Sequence, residues 1–403
     1  MSLHEMQAYP FATGRKGVLG MLKIAVLSIS ALIISFVSVS GVFPALAADL
    51  GVTQMQSELM MTIPALAVII FIFISNVVVE KIGIKKTVIL GLLVSGVGGV
   101  FPTFVQSFTP ILISRFFLGA GVGLVNTWAV RYITLLFDEK ESAKLMGFRS
   151  SAEIGCQTVV AAVAGFLFRW GWQMSFLAYG IAFVSATLVL IVVPEVKLPK
   201  SEHDETGKVK LPVAVYLLAA FATLVVVTAA SIAFRFPALA IEAQDSGYNP
   251  NMMMTLWPIL SIFAAVTYGK LSELLGKKFL YLALFILIVA AFFTGFSNGN
   301  YVMLVIGLFL HGVAPAWFFP FIFMTASKMT TGKEQSMAFS YIVIGIKLGV
   351  FLIPFVVNLI ETVLGNNALT VPYPVLGSLL IVATLFIATV GKKIVRNAYI
   401  NEN

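Results

Sequence analysis

Apolar stretches of about twenty residues recur along the whole chain, each long enough to cross roughly 30 Å of hydrocarbon. Their apolar residues are continuous rather than alternating, which favours membrane-spanning helices over a β-barrel. The sequence therefore predicts an all-α membrane protein with twelve transmembrane helices. The predicted spans are 21–47, 54–79, 86–106, 109–137, 144–168, 172–194, 210–236, 251–272, 278–296, 300–328, 335–362 and 371–391.

A repeat relates the two halves of the chain. The pentapeptide Phe-Pro-Ala-Leu-Ala occurs at Phe43–Ala47 and again at Phe236–Ala240, 193 positions later. An acidic residue, a glycine and two lysines follow each copy in the same order. Because this period is far longer than that of a solenoid, it predicts two pseudo-symmetric six-helix halves. The expected division is an N-terminal half at 1–194, a cytoplasmic linker at 195–211 and a C-terminal half at 212–403.

Basic residues are concentrated in the connections that a cytoplasmic start places inside the cell. These segments hold 21 of the 26 lysines and arginines. The positive-inside rule then predicts a multi-pass protein of a prokaryotic plasma (inner) membrane with both termini in the cytoplasm. The net charge of +8 is explained by this topology, so no nucleic-acid partner is expected. The expected partners are the lipid bilayer and a small-molecule substrate, with protons as an optional co-substrate, and the chain is expected to work as a monomer.

Cysteine and histidine are too sparse for a disulfide framework or a metal site. Cys156 is the one cysteine, and His4, His203 and His311 are far apart. We therefore expect no metal, and we also expect no cofactor and no enzymatic activity.

Residues 1–20 lack the apolar core of a signal peptide.

The repeated turn between spans 8 and 9 resembles a family signature. Gly269–Lys278 reads Gly-Lys-Leu-Ser-Glu-Leu-Leu-Gly-Lys-Lys, which is similar to the Gly-x-Leu-x-acid-basic-x-Gly-basic-basic loop of the major facilitator superfamily. The copy between spans 2 and 3 is looser, since Asn76 replaces the leading glycine and Ile84 replaces one basic residue. The resemblance implies a cytoplasmic latch formed by Glu80, Gly83, Lys85, Lys86, Gly269, Glu273, Gly276, Lys277 and Lys278.

Span 4 carries a second resemblance to the same superfamily. Arg115 and the glycines at 119, 121 and 123 are similar to its Arg-x-x-x-Gly-x-Gly pattern, although Leu118 stands where the family has glutamine. The resemblance implies a secondary active transporter that works by alternating access. It also implies that spans 1, 4, 7 and 10 surround a central cavity and that spans 2, 5, 8 and 11 form the rocking interface.

Ionisable residues inside the predicted spans are the site candidates, because an unpaired charge at mid-bilayer costs at least about 2.5–3.5 kcal/mol. Lys347 in span 11 and Glu153 in span 5 occupy equivalent repeat positions, 194 residues apart. Two interpretations stay open. Either Lys347 binds an anionic substrate while Glu153 serves as its gate partner or proton acceptor, or the two residues form a permanent ion pair that holds the halves together.

Four further residues are candidates for substrate binding. Arg131 lies one turn after Trp128 in span 4, and it either binds substrate or extends to the cytoplasmic headgroups. His311 and Trp317 lie in span 10 beside two prolines. His311 is either a proton relay or a hydrogen-bonded structural residue, and Trp317 either walls an apolar pocket or packs against other helices.

Two arginines complete the set of buried charges. Arg115 is either a coupling and gating residue or a structural anchor of span 4, and Arg235 is expected to reach water near the outer end of span 7. With Arg131 and Lys347, the predicted spans then hold four fixed cations against one carboxylate, Glu153.

The excess of cations predicts a transporter of a small organic anion, such as a carboxylate, by proton symport or exchange. The alternative is a proton-coupled multidrug efflux antiporter, which the aromatic residues of span 10 favour. Drug antiporters of the superfamily usually carry a Gly-Pro pair in span 5, whereas Gly155–Ala162 contains no proline. That departure disfavours the alternative.

Overall fold

The computed structural model describes residues 15–31, 33, 37–196, 211–244, 248–276 and 278–391. Within these ranges the chain is helical and contains no β-strand. Eleven of the described helical segments, counted with the 3-10 or π turns that adjoin some of them, are long and apolar enough to cross a membrane. The predicted all-α membrane fold is therefore confirmed. The helices are α1 (Arg15–Ala31), α2 (Phe43–Leu50), α3 (Gln54–Ile82), α4 (Ile84–Val100), α5 (Phe108–Leu136), α6 (Glu139–Leu167), α7 (Ile181–Val192), α8 (Val213–Ala243), α9 (Asn251–Leu275), α10 (Lys278–Gly295), α11 (Tyr301–Ser327), α12 (Gly332–Leu364) and α13 (Pro372–Phe386).

The first predicted span differs from the structure. The expectation was one span over 21–47, but α1 ends at Ala31 and a new helix, α2, begins at Phe43. Residues 32 and 34–36 lie outside the described ranges. Pro44 stands in the first turn of α2, where its missing N–H would have no helical partner in any case, so proline favours a helix start here.

The chain packs into two compact units. Unit 1 comprises Met1–Thr53 and Ile63–Glu205, and unit 2 comprises Gln54–Thr62 and Thr206–Asn403. Helix α3 is therefore shared, because its first nine residues belong to unit 2 and the rest belong to unit 1. Pro64 follows the division and removes one backbone hydrogen bond from the helix, which makes this a position where α3 can bend.

Close helix packing in unit 1 depends on the glycines of span 4. A Cβ atom on Gly119 would lie 2.2 Å from the carbonyl oxygen of Pro64 in α3. A Cβ atom on Gly121 would lie 2.3 Å from the carbonyl oxygen of Gly91 in α4. Small residues let helix backbones approach closely in membranes, and here they allow α5 to pack against α3 and α4.

Unit 2 uses glycines in the same way between α8 and α12. Gly345 and Gly349 face the backbone of α8, where added Cβ atoms would lie 2.6 Å from the Ala219 oxygen and 2.8 Å from the Thr223 oxygen. The Thr223 hydroxyl also donates a hydrogen bond to the carbonyl of Gly345 over 3.0 Å. This contact fixes the rotation of α12 about its axis, and so determines which of its side chains point away from α8.

Candidate substrate and coupling sites

Lys347 is buried near the middle of a long helix. It is the sixteenth of the 33 residues of α12, and 9% of it is exposed. Gly345 and Gly349 lie two residues to either side, and each residue advances a helix by about 100°. Lys347 therefore leaves α12 roughly 200° from the glycine face that contacts α8. The packing of α12 on α8 thus directs this ammonium group away from the helix pair.

Glu153 has a partner within its own helix. The Arg149 Nη2 atom lies 2.7 Å from the Glu153 Oε1 atom, one turn earlier on α6. Arg149 also donates through Nε to the Ser30 hydroxyl of α1 over 3.2 Å. Lys347 belongs to unit 2 and Glu153 to unit 1, and their pairing stays a prediction.

A second ion pair joins α1 to α6. Lys23 Nζ donates to Glu141 Oε1 over 2.5 Å. This hydrogen bond, supported by the charge of Lys23, holds the pKa of the Glu141 carboxyl below its usual value. Together with the Arg149–Ser30 contact, it provides two polar attachments between the first helix and α6.

Arg131 lies over an aromatic ring in unit 1. Its guanidinium carbon is 5.4 Å from the centre of the Trp128 ring, within the range of a cation–π interaction. Trp128 and Tyr132 are buried on one face of α5. Neither the Trp128 Nε1 atom nor the Tyr132 hydroxyl makes a hydrogen bond to any described residue. The arrangement places a cation beside two buried polar groups that could bind a polar ligand.

His311 and Trp317 both contact neighbouring helices of unit 2. The His311 ring is buried with its centre 4.9 Å from that of Trp257 in α9. Trp317 donates through Nε1 to the carbonyl of Ala264 over 2.7 Å, and its ring lies 5.3 Å from that of Phe279 in α10. These contacts are sufficient to anchor α11 against α9 and α10, and the substrate-binding roles of both residues stay predictions.

Arg115 is fully buried in unit 1. It donates through Nη1 to the Tyr179 hydroxyl over 3.0 Å. Its guanidinium carbon lies 5.7 Å from the centre of the Phe43 ring and 5.5 Å from that of the Tyr179 ring. Through these contacts α5 is attached to α2 and to the 3-10 segment Met174–Gly180.

The expectation that Arg235 reaches water is wrong. Only 1% of Arg235 is exposed, and its Nε atom lies 2.6 Å from Glu58 Oε1 in α3. Its Nη1 atom lies 2.5 Å from Glu361 Oε1 in α12 and also donates to the Leu369 carbonyl. Unit 2 therefore contains a buried cluster of one guanidinium and two carboxylates.

The predicted count of one carboxylate against four cations is also wrong. Glu58 and Glu361 lie within the predicted spans 54–79 and 335–362, and both are buried. A signal for them was present, because each lies near the end of its span that the predicted orientation places outside, as does Arg235. A charge at the end of a span can also reach the headgroup region, so the sequence alone does not distinguish these buried carboxylates from exposed ones.

The two latch turns have the backbone shape that their glycines suggest. Gly83 and Gly276 have φ angles of 86° and 53°, a region that side chains disfavour. After Gly83, the backbone N–H of Lys85 donates to Glu195 Oε1 over 3.3 Å, so Glu195 supplies a carboxylate at the start of α4. Lys277 lies outside the described residues. The latch function of these turns stays a prediction.

Apolar helices that bury paired charges define a multi-pass membrane protein, and comparison with known proteins identifies its family. The Major Facilitator Superfamily model matches residues 25–251 and 219–398. The chain therefore belongs to the Major Facilitator Superfamily and is a secondary transporter, which confirms the resemblance of its motifs.

Solved structures support the same fold. The xylose transporter XylE from E. coli, in an inward-open conformation, has a TM-score of 0.74 at 15% identity and covers 92% of this chain and 96% of its own. The POT family transporter PepTSo has a TM-score of 0.74 at 10% identity, covering 93% and 98%. A bacterial homologue of the human lysosomal transporter Spinster has a TM-score of 0.65 at 14% identity, covering 96% and 98%.

A curated relative matches only part of the chain. Sugar transport protein 10 from Arabidopsis thaliana is 29% identical over 150 residues. The match spans 36% of this chain and 28% of the plant protein. At this coverage the relative supports a common family and leaves the substrate to be argued from the site.

Proposed function

We propose that this transporter moves a small organic anion, such as a carboxylate, by alternating access coupled to proton symport or to exchange. The observation that carries the proposal is Lys347, an ammonium group buried halfway along α12. A positive charge at this depth is costly, and transport proteins place such charges where a substrate or a partner compensates them.

The surrounding charges favour an anionic substrate over a cationic one. Three carboxylates inside the spans, Glu58, Glu153 and Glu361, each pair with an arginine in the structure. A cationic substrate would have to displace those arginines from short ion pairs. An anionic substrate matches the charge of Lys347, whose ammonium group binds carboxylates by charge-assisted hydrogen bonds.

Each unit contributes candidates to this role. In unit 2 they are Lys347, His311 and Trp317. In unit 1 they are Arg131 and Trp128, with the buried Nε1 group of Trp128 as an additional donor. Glu153 and Arg115 are proposed to act in gating or coupling, and the two glycine turns are proposed to act as cytoplasmic latches.

The setting of the transporter is part of the proposal. The distribution of lysine and arginine supports a multi-pass protein of a prokaryotic plasma membrane with both termini in the cytoplasm. The monomer is the proposed functional unit, because the family fold contains both six-helix halves in one chain.

The direct test is uptake of radiolabelled mono- and dicarboxylates into proteoliposomes, with and without a pH gradient. A charge-assisted hydrogen bond contributes about 1.5–3 kcal/mol, so Lys347→Gln is expected to lower carboxylate uptake roughly 10- to 150-fold. Lys347→Arg should keep part of the activity, since it keeps the charge. Lys328→Gln, at an exposed position after α11, is the matched control and should behave as wild type.

Absence of carboxylate uptake by the wild type would contradict the anion proposal, and full carboxylate uptake by Lys347→Gln would contradict the role of Lys347 in it. The alternative of multidrug efflux predicts instead that lipophilic dyes are exported against a proton gradient and that this export survives Lys347→Gln. The same vesicles can measure both activities, so one set of variants separates the two functions.

A neutral sugar is the second candidate substrate, and the specific observation that favours it is the partial match to Sugar transport protein 10. Xylose and glucose therefore belong in the same panel. A neutral hydroxyl compound gains less from an ammonium group than a carboxylate does. Sugar uptake that Lys347→Gln leaves unchanged would support this candidate over the anion.

A further inference from the structure

The cluster around Arg235 contains more negative than positive charge at close range. Arg235 of α8 contacts Glu58 of α3 and Glu361 of α12 through ion pairs of 2.6 Å and 2.5 Å. The side chains of Arg235 and Glu58 are 1% exposed, and that of Glu361 is 9% exposed. With both carboxylates ionised, the three side chains carry a net charge of −1 in a site that excludes water.

The other groups around the cluster do not supply a second cation. Gln54 donates through Nε2 to Glu58 Oε1, and the Leu369 carbonyl accepts from Arg235. Tyr373 of α13 lies within electrostatic range of the cluster, but its hydroxyl donates to the Ser231 carbonyl. Glu242, further along α8, is exposed and negative, and it also lies within range of Arg235. Among the described residues that contact or electrostatically influence the cluster, Arg235 is thus the single cation.

One carboxylate oxygen in the cluster has no donor. Oε1 of Glu58 accepts hydrogen bonds from both Gln54 and Arg235, whereas Oε2 is buried and makes no hydrogen bond to any described residue. Burying an uncompensated carboxylate charge costs enough that such groups take up a proton instead. Glu58 and Glu361 share Arg235 as their counter-charge within the cluster.

We propose that Glu58 and Glu361 form a proton-binding site in which the two carboxylates share one proton over the fixed charge of Arg235. Binding converts one carboxylate to a carboxylic acid and changes the net charge of the cluster from −1 to 0, while Arg235 stays protonated. The proposal deepens the proposed proton coupling, and its link to substrate rests on that function. It assigns the proton to a site other than Glu153, which Arg149 already neutralises.

Glu58 lies in the part of α3 that packs with unit 2. Residues 54–62 of α3 pack with unit 2, and Pro64 weakens the helix just beyond them. Neutralising Glu58 removes the charge through which Arg235 holds this segment. The proton thereby controls how firmly the start of α3 is attached to α8 and α12.

Infrared difference spectroscopy of the full-length protein in lipid vesicles tests the site without any substrate. Between alkaline and acidic buffer, the wild type is expected to gain the C=O band of a buried carboxylic acid, with the characteristic shift in D2O. Glu58→Gln and Glu361→Gln should each lose this band, because Arg235 then faces a single carboxylate and the charges balance without a proton. Glu242→Gln, which removes an exposed carboxylate from the same helix, should keep it.

Two results would overturn the proposal: a band that persists in both Glu58→Gln and Glu361→Gln, or a band lost in Glu153→Gln. Each single variant leaves Arg235 one ion-pair partner, so both are expected to fold. If one of them is not recovered as a monodisperse protein, the other carries the test alone.

The result separates this site from the proposed substrate. If no carboxylate is transported but the band behaves as expected, the anion proposal fails and the proton site stands. If Lys347→Gln abolishes carboxylate uptake while the infrared band persists in both Glu58→Gln and Glu361→Gln, the proton site fails and the anion proposal stands.

Discussion

Each unit has a buried arginine near a tyrosine that the repeat places at equivalent positions in the two halves. The two arginines, however, lie on helices that do not correspond to each other. Tyr179 and Tyr373 are 194 residues apart, the offset that also relates Glu153 to Lys347. In unit 1 the nearby arginine is Arg115 of α5, which lies against aromatic rings and the Tyr179 hydroxyl. In unit 2 it is Arg235 of α8, which is held by two carboxylates.

The difference shows that, within the membrane-spanning helices, the repeat preserves the helices but not their buried arginines. At the repeat offset of 193, Arg235 corresponds to Val42, and Arg115 corresponds to Leu308. Both of these apolar counterparts are buried. Each half therefore has a buried hydrocarbon side chain at the position where the other half has a buried arginine. Duplication fixes where a helix runs, and single substitutions then decide which helix carries the cation.

The largest expected effect comes from removing the cation of unit 2. Arg235→Met leaves Glu58 and Glu361 buried beside an apolar side chain, and breaking a buried pair costs about 3–5 kcal/mol of unfolding free energy. Denaturant unfolding of the purified protein in detergent micelles measures the loss. Arg169→Met, at an exposed position, is the control and should stay within about 0.5 kcal/mol of wild type.

A suppressor variant tests the cause of that loss. Adding Glu58→Gln and Glu361→Gln to Arg235→Met removes the uncompensated charges, so the triple variant is expected to be more stable than Arg235→Met alone. If it is less stable, the carboxylates stabilise unit 2 through contacts other than the arginine, and the contrast between the two units would need another explanation.

A smaller effect is expected from the arginine of unit 1. Arg115→Met removes the cation–π contacts with Phe43 and Tyr179 and the hydrogen bond to the Tyr179 hydroxyl, while methionine keeps much of the packing volume. We expect a loss of about 2 kcal/mol, measured by the same unfolding experiment. A loss equal to that of Arg235→Met would mean that the two arginines stabilise their units alike.

The smallest effects come from the repeated tyrosines. Tyr179→Phe removes an acceptor for a charged donor, which costs about 1.5–2 kcal/mol, whereas Tyr373→Phe removes a neutral hydrogen bond to the Ser231 carbonyl and costs about 1 kcal/mol. Because the two substitutions delete the same atom, each is the control for the other. Equal losses would show that the charge of Arg115 adds nothing to its hydrogen bond.

Much of the fold could be predicted from the sequence because the spans are set by local composition. Helix α3, for example, covers 54–82 where the apolar pattern predicts 54–79. The first span could not be predicted as well, since a run of apolar residues from 21 to 47 hides the helix start that Pro44 permits. Local hydropathy reports where a chain can lie in a membrane and is insensitive to breaks between helices.

The charged site was harder to predict because its partners are distant in sequence. Arg235 is 177 residues from Glu58 and 126 from Glu361, and no local pattern links them. The ion pair between Arg149 and Glu153 could be predicted from the sequence, because residues four apart lie on the same face of a helix. Lys347 could be identified from the sequence because it is a charged residue near the middle of a long apolar stretch.

The division of α3 between the units has a consequence for how such genes can recombine. A crossover in the segment between α7 and α8 would join the first six spans of one transporter to the last six of another. Such a chimera keeps Arg235 together with Glu361 but inherits the start of α3 from the other parent. Exchange of halves is therefore constrained by one inherited carboxylate at position 58, even though the crossover point lies far from it.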